Sequence, residues 1–237
     1  MLSRRDFVAA TLSGAAYARL ISSRRASGLL RVGTVTDPER PDLDVGLSFG
    51  AAEANRTAML FDWHVEREEV STSGFHSDIH ALVVSRDFRP LATPLPVLNA
   101  TCPPSSPVAG TLIVADCRQR DESDPSDDRR VVLWHDSLER YGADALNNRY
   151  RAATGTAMTS DAWLGWFSMK MLAEAALRSR SSDPSTLLAY LRRPATEFDG
   201  HKGVPLRFDT KGRLEQPVYV VTRNAHSGEW VVEREIR

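Results

Sequence analysis

Short apolar runs in the first half of the chain, each followed by a polar loop, constrain the fold most. Residues 29–35, 80–84 and 97–98 are rich in leucine and valine, which favours strands. Residues 43–61 carry apolar side chains at helical spacing, although Gly46 and Gly50 weaken the first turns. Strands that alternate with helical segments predict an α/β layer with a mostly parallel sheet.

The second half contains the strongest helical pattern, over residues 161–178. Trp163, Trp166 and Phe167 recur at steps of three and four, and Ser160 or Asp161 can cap the amino end. We interpret the three aromatic rings as core and not as an aromatic ligand cage. Further helices are predicted at 137–150 and 183–191, with a strand at 131–134 and a closing hairpin of residues 218–222 and 229–236.

The stretch between Cys102 and Arg130 shows neither the apolar strand runs nor the helical spacing seen elsewhere in the chain. Three prolines open this stretch, and residues 118–130 are almost wholly charged or polar, which is typical of a solvated loop. We therefore predict an α/β segment at 29–117, a charged loop at 118–130 and a second α/β segment at 131–237. No internal repeat is visible.

The amino terminus carries an export pattern. Ser3, the arginine pair Arg4 and Arg5, and Phe7 are typical of twin-arginine signals, and the apolar stretch at 8–20 is too short to span a bilayer. A small-x-small pattern at 16–18 predicts cleavage after Ala18, so we expect residues 1–18 to be a signal peptide and the protein to be periplasmic. The alternative is a basic, amphipathic first helix.

The net charge argues against some classes of partner, and the two cysteines raise the question of a disulfide. Thirty basic and 31 acidic residues leave a formal net charge of -1, so no global field recruits nucleic acid or an anionic membrane. In an oxidising compartment Cys102 and Cys117 can form a disulfide, which would close a loop of about 15 residues and contribute roughly 3 kcal/mol. Two buried free thiols are the alternative.

Candidate chemical sites are weak. His76 and His80 have a spacing that suits zinc on a helix, with His64 nearby, but no glutamate follows His76, and we interpret these as surface histidines. His135 has no identifiable nucleophile and is expected to pack or cap. Residues 198–203 join glycines to a lysine without phosphate-loop spacing, which predicts a structural turn. We therefore expect no catalytic residue, metal or cofactor.

Several segments nevertheless resemble a known family. The residues that carry the resemblance are Trp134-His135, Leu138-Glu139-Arg140-Tyr141-Gly142-Ala143, Asp161-Ala162-Trp163 with Lys170 and Glu174-Ala175, Phe198-Asp199-Gly200-His201-Lys202-Gly203, Pro205-Leu206-Arg207-Phe208 and Gln216-Pro217-Val218-Tyr219-Val220. In order and spacing they resemble the carboxyl-terminal third of the branched-chain amino-acid-binding (Leu/Ile/Val-binding type) receptors of ABC transporters. The subgroup found with PQQ-dependent alcohol dehydrogenase systems is the most similar.

This resemblance implies a type I periplasmic-binding-protein-like α/β fold, with a mostly parallel sheet flanked by helices. Such receptors have two lobes that close on the ligand by a hinge. Only about 30 residues stand between Thr101 and Val131, where relatives place most of a lobe, so the second lobe is expected to be largely missing.

The resemblance also implies a site. In the family a serine loop and an alanine-threonine loop of the first lobe hold the ligand's amino and carboxylate groups. Ser85 matches the first loop by position, and Ala100 and Thr101 match the second by residue type. No counterpart of the second-lobe ligand residues is identifiable.

Two functions follow as hypotheses. One is a solute-binding component of an ABC-type importer, with a small amino-acid-like, carboxylate or alcohol-derived ligand and the transporter membrane subunits as partners. The other is an accessory or scaffold protein that binds no ligand and works with a periplasmic quinoprotein dehydrogenase. An enzyme is the least favoured class.

Overall fold

The structure, a computed structural model, describes residues 27–71, 78–85, 95–102, 110–118 and 128–237. The expected signal peptide at 1–18 and His76 lie outside these residues. Within them, no helix is long and apolar enough to cross a membrane.

A five-stranded parallel sheet forms the first half. Its strands are β1 (Gly28–Val35), β2 (Trp63–Glu69), β3 (Ala81–Val84), β4 (Val97–Asn99) and β5 (Thr111–Ile113). Their spatial order is β2-β1-β3-β4-β5, and every neighbouring pair is parallel. The order reverses direction between β1 and β3, so this sheet has a topological switch point there.

The central strands are buried because both of their faces pack. On one face Leu30, Val32, Val83 and Leu98 belong to the main core cluster. Val35, Leu82, Val84 and Val97 point to the other face with Val70 and Ile79 and form a smaller cluster. Continuous apolar runs such as Ala81–Val84 are what a doubly covered parallel strand requires.

Two helices, at residues 41–59 and 160–179, cover the face of the parallel sheet that carries the main core cluster. Helix α1 (Pro41–Met59) follows β1, and the chain later forms α2 (Ala143–Thr154), α3 (Ser160–Ser179) and α4 (Pro184–Leu191). Helices α1 and α3 pack together closely because glycines line their contact. A Cβ on Gly46 would lie 2.1 Å from the Ala162 carbonyl oxygen, and one on Gly165 would lie 2.4 Å from that of Leu43. The glycines that weaken α1 locally therefore permit its packing.

The carboxyl-terminal segment adds two small antiparallel sheets. One joins β6 (Arg129–Val132), β10 (Val218–Arg223) and β11 (Trp230–Ile236) in the order β11-β10-β6. The other contains β7 (Phe198–Asp199), β8 (Pro205–Phe208) and β9 (Leu214–Glu215). Ile113 donates its N–H to the Gly212 carbonyl at 2.8 Å, which fastens this second sheet to the edge of the parallel sheet.

Several sequence expectations were wrong in detail. Strand β2 was not predicted, and β5 lies in the stretch where the pattern failed. Strand β6 begins at Arg129, inside the expected loop 118–130, and ends at Val132. The helix expected from Ser137 begins only at Ala143, because Tyr141 and Gly142 both take positive φ angles. Thr159, not Ser160 or Asp161, caps α3 by accepting the Ala162 N–H.

Candidate functional site

The carboxyl ends of β1, β3 and β4 meet at one edge of the sheet, beside the switch point. Ser85 directly follows β3, and Ala100 and Thr101 directly follow β4. Two elements from elsewhere reach the same edge: Arg40, which precedes α1, and Asp161, in the first turn of α3. We call these five residues the strand-edge site. Ligands of open α/β sheets bind in this position.

Ser85 ties β3 to the loop after β1. It is only 1% exposed, and its hydroxyl oxygen accepts the Asp37 N–H at 2.7 Å. Its own N–H donates to the Val35 carbonyl. A serine hydroxyl that accepts one hydrogen bond still has a proton to donate.

Ala100 and Thr101 have their donors engaged. The Ala100 N–H donates to the Val84 carbonyl at 2.8 Å. The N–H and the hydroxyl of Thr101 both donate to Asn99 Oδ1, at 2.8 and 2.7 Å. The Thr101 hydroxyl therefore retains acceptor capacity, while neither backbone amide is free for an anion.

Arg40 and Asp161 form the charged part of the site. The guanidinium donates from Nε and Nη2 to both Asp161 carboxylate oxygens, at 2.9 and 2.5 Å, and from Nη1 to the Ala100 carbonyl at 2.9 Å. A two-pronged pair of this kind fixes orientation as well as charge. Neither residue was expected at the site from the sequence, where Asp161 was considered as a helix cap and in the family resemblance; the two lie 121 positions apart. The position of Arg40 in the turn after the first strand was the sequence feature that could have predicted a site residue there.

A disulfide borders the site. The structure joins Cys102, which follows Thr101, to Cys117, with Cα atoms 5.5 Å apart. It thus links the loop after β4 to the loop after β5. Beside it Arg118 donates to Asp116 and to the Gln216 carbonyl.

The other sequence candidates are structural. His80 Nδ1 accepts the Arg31 N–H at 2.9 Å, and burial, followed by the charge of Arg31, lowers the pKa of His80. His135 Nδ1 accepts the Ser137 N–H, and burial lowers its pKa against the opposing effect of Asp136. Within the described residues no group of three histidine, cysteine or acidic side chains could hold a metal ion.

The aromatic helix face is core, as expected: Trp163, Trp166 and Phe167 are at most 2% exposed. The turn at 198–203 is structural too, with the His201 N–H donating to Asp199 Oδ1. Lys202 in that turn is fully buried, which the sequence did not predict. Its ammonium nitrogen lies 2.9 Å from Gln216 Oε1, 3.0 Å from the Pro217 carbonyl and 4.0 Å from the centre of the Trp163 ring. Burial lowers its pKa well below the ordinary value.

Comparison with known proteins gives matches among solved structures. The substrate-binding protein of an ABC transporter from Desulfitobacterium hafniense, solved in complex with Leu, has a TM-score of 0.64 at 12% identity; the match covers 86% of this chain and 99% of that one. A possible leucine/isoleucine/valine-binding protein from Rhodopirellula baltica SH 1 has a TM-score of 0.57 at 10% identity, covering 89% and 98%. No family model and no curated protein matches the chain.

The chain spans a smaller part of other matched structures. For a branched-chain amino acid ABC transporter periplasmic ligand-binding protein from Burkholderia xenovorans LB400, the TM-score is 0.40 at 14% identity, and the match covers 93% of this chain and 61% of that one. At these identities the two higher TM-scores establish the fold. The expected class is therefore confirmed: this is an α/β, type I periplasmic-binding-protein-like fold, whose described residues contain one parallel sheet.

Proposed function

We propose that the protein is a non-enzymatic, exported binding protein that holds a small molecule at the strand-edge site. The observation that carries this proposal is the strand order β2-β1-β3-β4-β5, because it places the carboxyl ends of β3 and β4 beside the switch point between β1 and β3. Ser85, Ala100 and Thr101, which the family resemblance selected, all lie at that edge.

The hydrogen bonds of the site support a different role for each hydroxyl. In the part of the chain that the structure describes, the Ser85 hydroxyl accepts a hydrogen bond but donates none, so its proton can donate to a ligand carboxylate. The Thr101 hydroxyl donates to Asn99 and keeps lone pairs that can accept from a ligand amine or hydroxyl. Arg40 supplies a second anion contact when its guanidinium turns from Asp161 to the ligand. Ala100 contributes its backbone, which Arg40 holds in place. The ligand is amino-acid-like or a small carboxylate or alcohol-derived molecule.

The partners follow from the same proposal. In this proposal the protein delivers its captured solute to the membrane subunits of an ABC-type importer. The arginine pair Arg4 and Arg5, followed by an apolar stretch, supports export by the twin-arginine route. Replacing both by lysine keeps the charge and removes the guanidinium pair. Fractionation should then show retained precursor; a variant that still reaches the periplasm argues against this route.

A thermal-shift screen tests ligand binding directly. The panel contains amino acids, short carboxylates, and small alcohols and aldehydes. A ligand present at 100 times its dissociation constant adds about 2.7 kcal/mol to the stability of the folded state. We expect at least one compound to raise the melting temperature.

Two variants locate the bound compound. Thr101→Val removes a hydroxyl, and Ser85→Ala removes the carboxylate donor. Losing one hydrogen bond to a charged group costs about 1.5 to 3 kcal/mol, so each change should weaken binding roughly tenfold or more. A ligand whose affinity is indifferent to both variants binds elsewhere.

The second candidate is an accessory protein without a ligand, associated with a PQQ-dependent alcohol oxidation system. One observation favours it: the backbone N–H groups of Ala100 and Thr101 and the Thr101 hydroxyl already donate to acceptors within the protein, and Ser85 and Ala100 are each 1% exposed. Absence of any thermal shift across the panel, together with co-purification of a periplasmic quinoprotein dehydrogenase, would select this function.

A further inference from the structure

A small cavity lies on the outer side of the helical layer, away from the strand-edge site. Its volume is about 180 Å³, and α1 and α3 form its walls. Six residues define what we call the helix-layer pocket: Gly50, Ala54, Trp166, Lys170, Glu174 and His201. Apolar residues such as Ala54 and Leu177 and charged residues such as Lys170 and Glu174 both line it.

Glu174 is the least satisfied polar group of this pocket. Its Oε1 atom lies 3.3 Å from Lys170 Nζ and 3.5 Å from an Arg178 guanidinium nitrogen. Its Oε2 atom is buried and, in the part of the chain that the structure describes, accepts no hydrogen bond. A buried carboxylate oxygen without a donor is unfavourable, and rotation of the Glu174 side chain toward a donor bound in the pocket would relieve it.

Glu53, the other carboxylate at the pocket, is fully engaged. Its Oε1 atom accepts from Arg149 Nε at 2.8 Å, and its Oε2 atom accepts from the Trp166 indole N–H at 2.8 Å. The pocket therefore presents one acceptor that needs a donor, on Glu174. It also presents two cations, Lys170 and Arg149, each of which has more N–H groups than its single carboxylate partner engages.

An aromatic pair completes one wall. The His201 and Trp166 rings are stacked, with centroids 5.6 Å apart and planes 19° apart. The backbone of His201 has a φ angle of 58°, a left-handed conformation that residues other than glycine rarely adopt. Its backbone N–H is fixed by Asp199, and its ring nitrogen lies 3.1 Å from the Tyr141 carbonyl. The wall is thus built from three separate segments of the chain.

We propose that the helix-layer pocket binds a small zwitterion with a short apolar side chain, in addition to any ligand at the strand edge. The cationic group donates to Glu174, the anionic group contacts Lys170 and Arg149, and the apolar part contacts Ala54 and Leu177. The volume corresponds to roughly six water molecules, which limits the ligand to a molecule the size of a four-carbon amino acid. A ligand with only one charge would contact either Glu174 or the two cations, but not both.

Titration followed by nuclear magnetic resonance tests the proposal. The probe is L-2-aminobutyrate, with butylamine and butyrate as matched compounds that carry only one of its two charges. The readout is the indole N–H resonance of Trp166, assigned with Trp166→Phe, while the Trp230 resonance serves as the internal reference. We expect 2-aminobutyrate to shift the Trp166 signal saturably and to bind at least roughly tenfold more tightly than either matched compound.

Three variants locate the effect. Glu174→Gln should weaken 2-aminobutyrate roughly tenfold, and Ala54→Leu, which fills the cavity, should abolish the shift. Thr101→Val should leave the shift unchanged, so failure here is distinguishable from failure at the strand edge. Equal affinity for all three compounds, no Trp166 shift, or a shift that Thr101→Val removes would each overturn the proposal.

Discussion

The strand-edge site and the helix-layer pocket differ in how completely their polar groups are satisfied. At the strand edge both amides after β4 have acceptors, and Arg40 is paired with both oxygens of Asp161. In the pocket one oxygen of Glu174 is buried with no donor among the described residues. A ligand at the strand edge must therefore replace hydrogen bonds that the protein already makes. A ligand in the pocket can instead add a hydrogen bond that Glu174 lacks.

The two regions share the helix contact between α1 and α3. Both Gly46 and Gly50 of α1 lie against α3, which also supplies Asp161 to one region and Trp166, Lys170 and Glu174 to the other. Any change that separates these helices therefore disturbs both regions, while changes at either end disturb only one.

The largest expected effect is the loss of this shared contact. Gly46→Ala places a Cβ 2.1 Å from the Ala162 carbonyl oxygen, so the helices must move apart, and we expect a loss of about 3 kcal/mol in unfolding free energy, the upper end of the usual cost of overpacking. Ala52→Gly, on the exposed side of α1, controls for helix propensity and should cost only about 1 kcal/mol. Denaturant unfolding measures both. Equal losses would mean that the close approach does not matter.

The second expected effect is confined to the strand edge. The Cys102–Cys117 link closes a loop of 15 residues, so replacing both cysteines by serine should lower stability by about 3 kcal/mol. The same variant should leave the Trp166 indole resonance unchanged, because neither cysteine lines the helix-layer pocket. Intact mass after alkylation without reductant first establishes whether the disulfide is present. Two alkylated thiols in periplasmic protein would show that Cys102 and Cys117 are not linked.

The smallest expected effect concerns the buried amine of Lys202, adjacent in sequence to His201 of the pocket. Its folded pKa is lowered by burial, so between the folded and unfolded pKa values the unfolded state binds the extra proton and stability rises with pH. Its slope is at most about 1.4 kcal/mol per pH unit. Lys202→Met should lack this contribution, so the stability of the unmodified chain minus that of the variant should increase as the pH rises toward the ordinary lysine pKa. Parallel pH profiles would contradict the assignment.

Much of the parallel layer could be predicted from the sequence. Strands β1, β3 and β4 are short apolar runs, and α3 has a clear helical period, so their residues decide the local structure. Strand β2 was missed because its sequence, from Trp63 to Glu69, is mostly charged; it lies at the sheet edge, where only alternate residues are buried. The break before α2 was missed because it depends on a left-handed Tyr141, which sequence does not signal.

The candidate sites were predicted less completely, for a related reason. Ser85, Ala100 and Thr101 follow their strands directly, so their position could be expected. Their hydrogen bonds could not, because Asn99, Asp37 and Arg40 compete with a ligand for the same atoms. Glu174 and Lys170 are spaced as an ordinary exposed helical pair, and only packing against α1 and His201 distinguishes them.

The most direct test of the account is a calorimetric titration of the best compound from the thermal-shift screen against three proteins: the unmodified chain, Thr101→Val and Glu174→Gln. If the small molecule binds at the strand edge, Thr101→Val should weaken it roughly tenfold or more and Glu174→Gln should leave it unchanged. The opposite pattern, with affinity lost in Glu174→Gln and retained in Thr101→Val, would contradict the strand edge as the binding site.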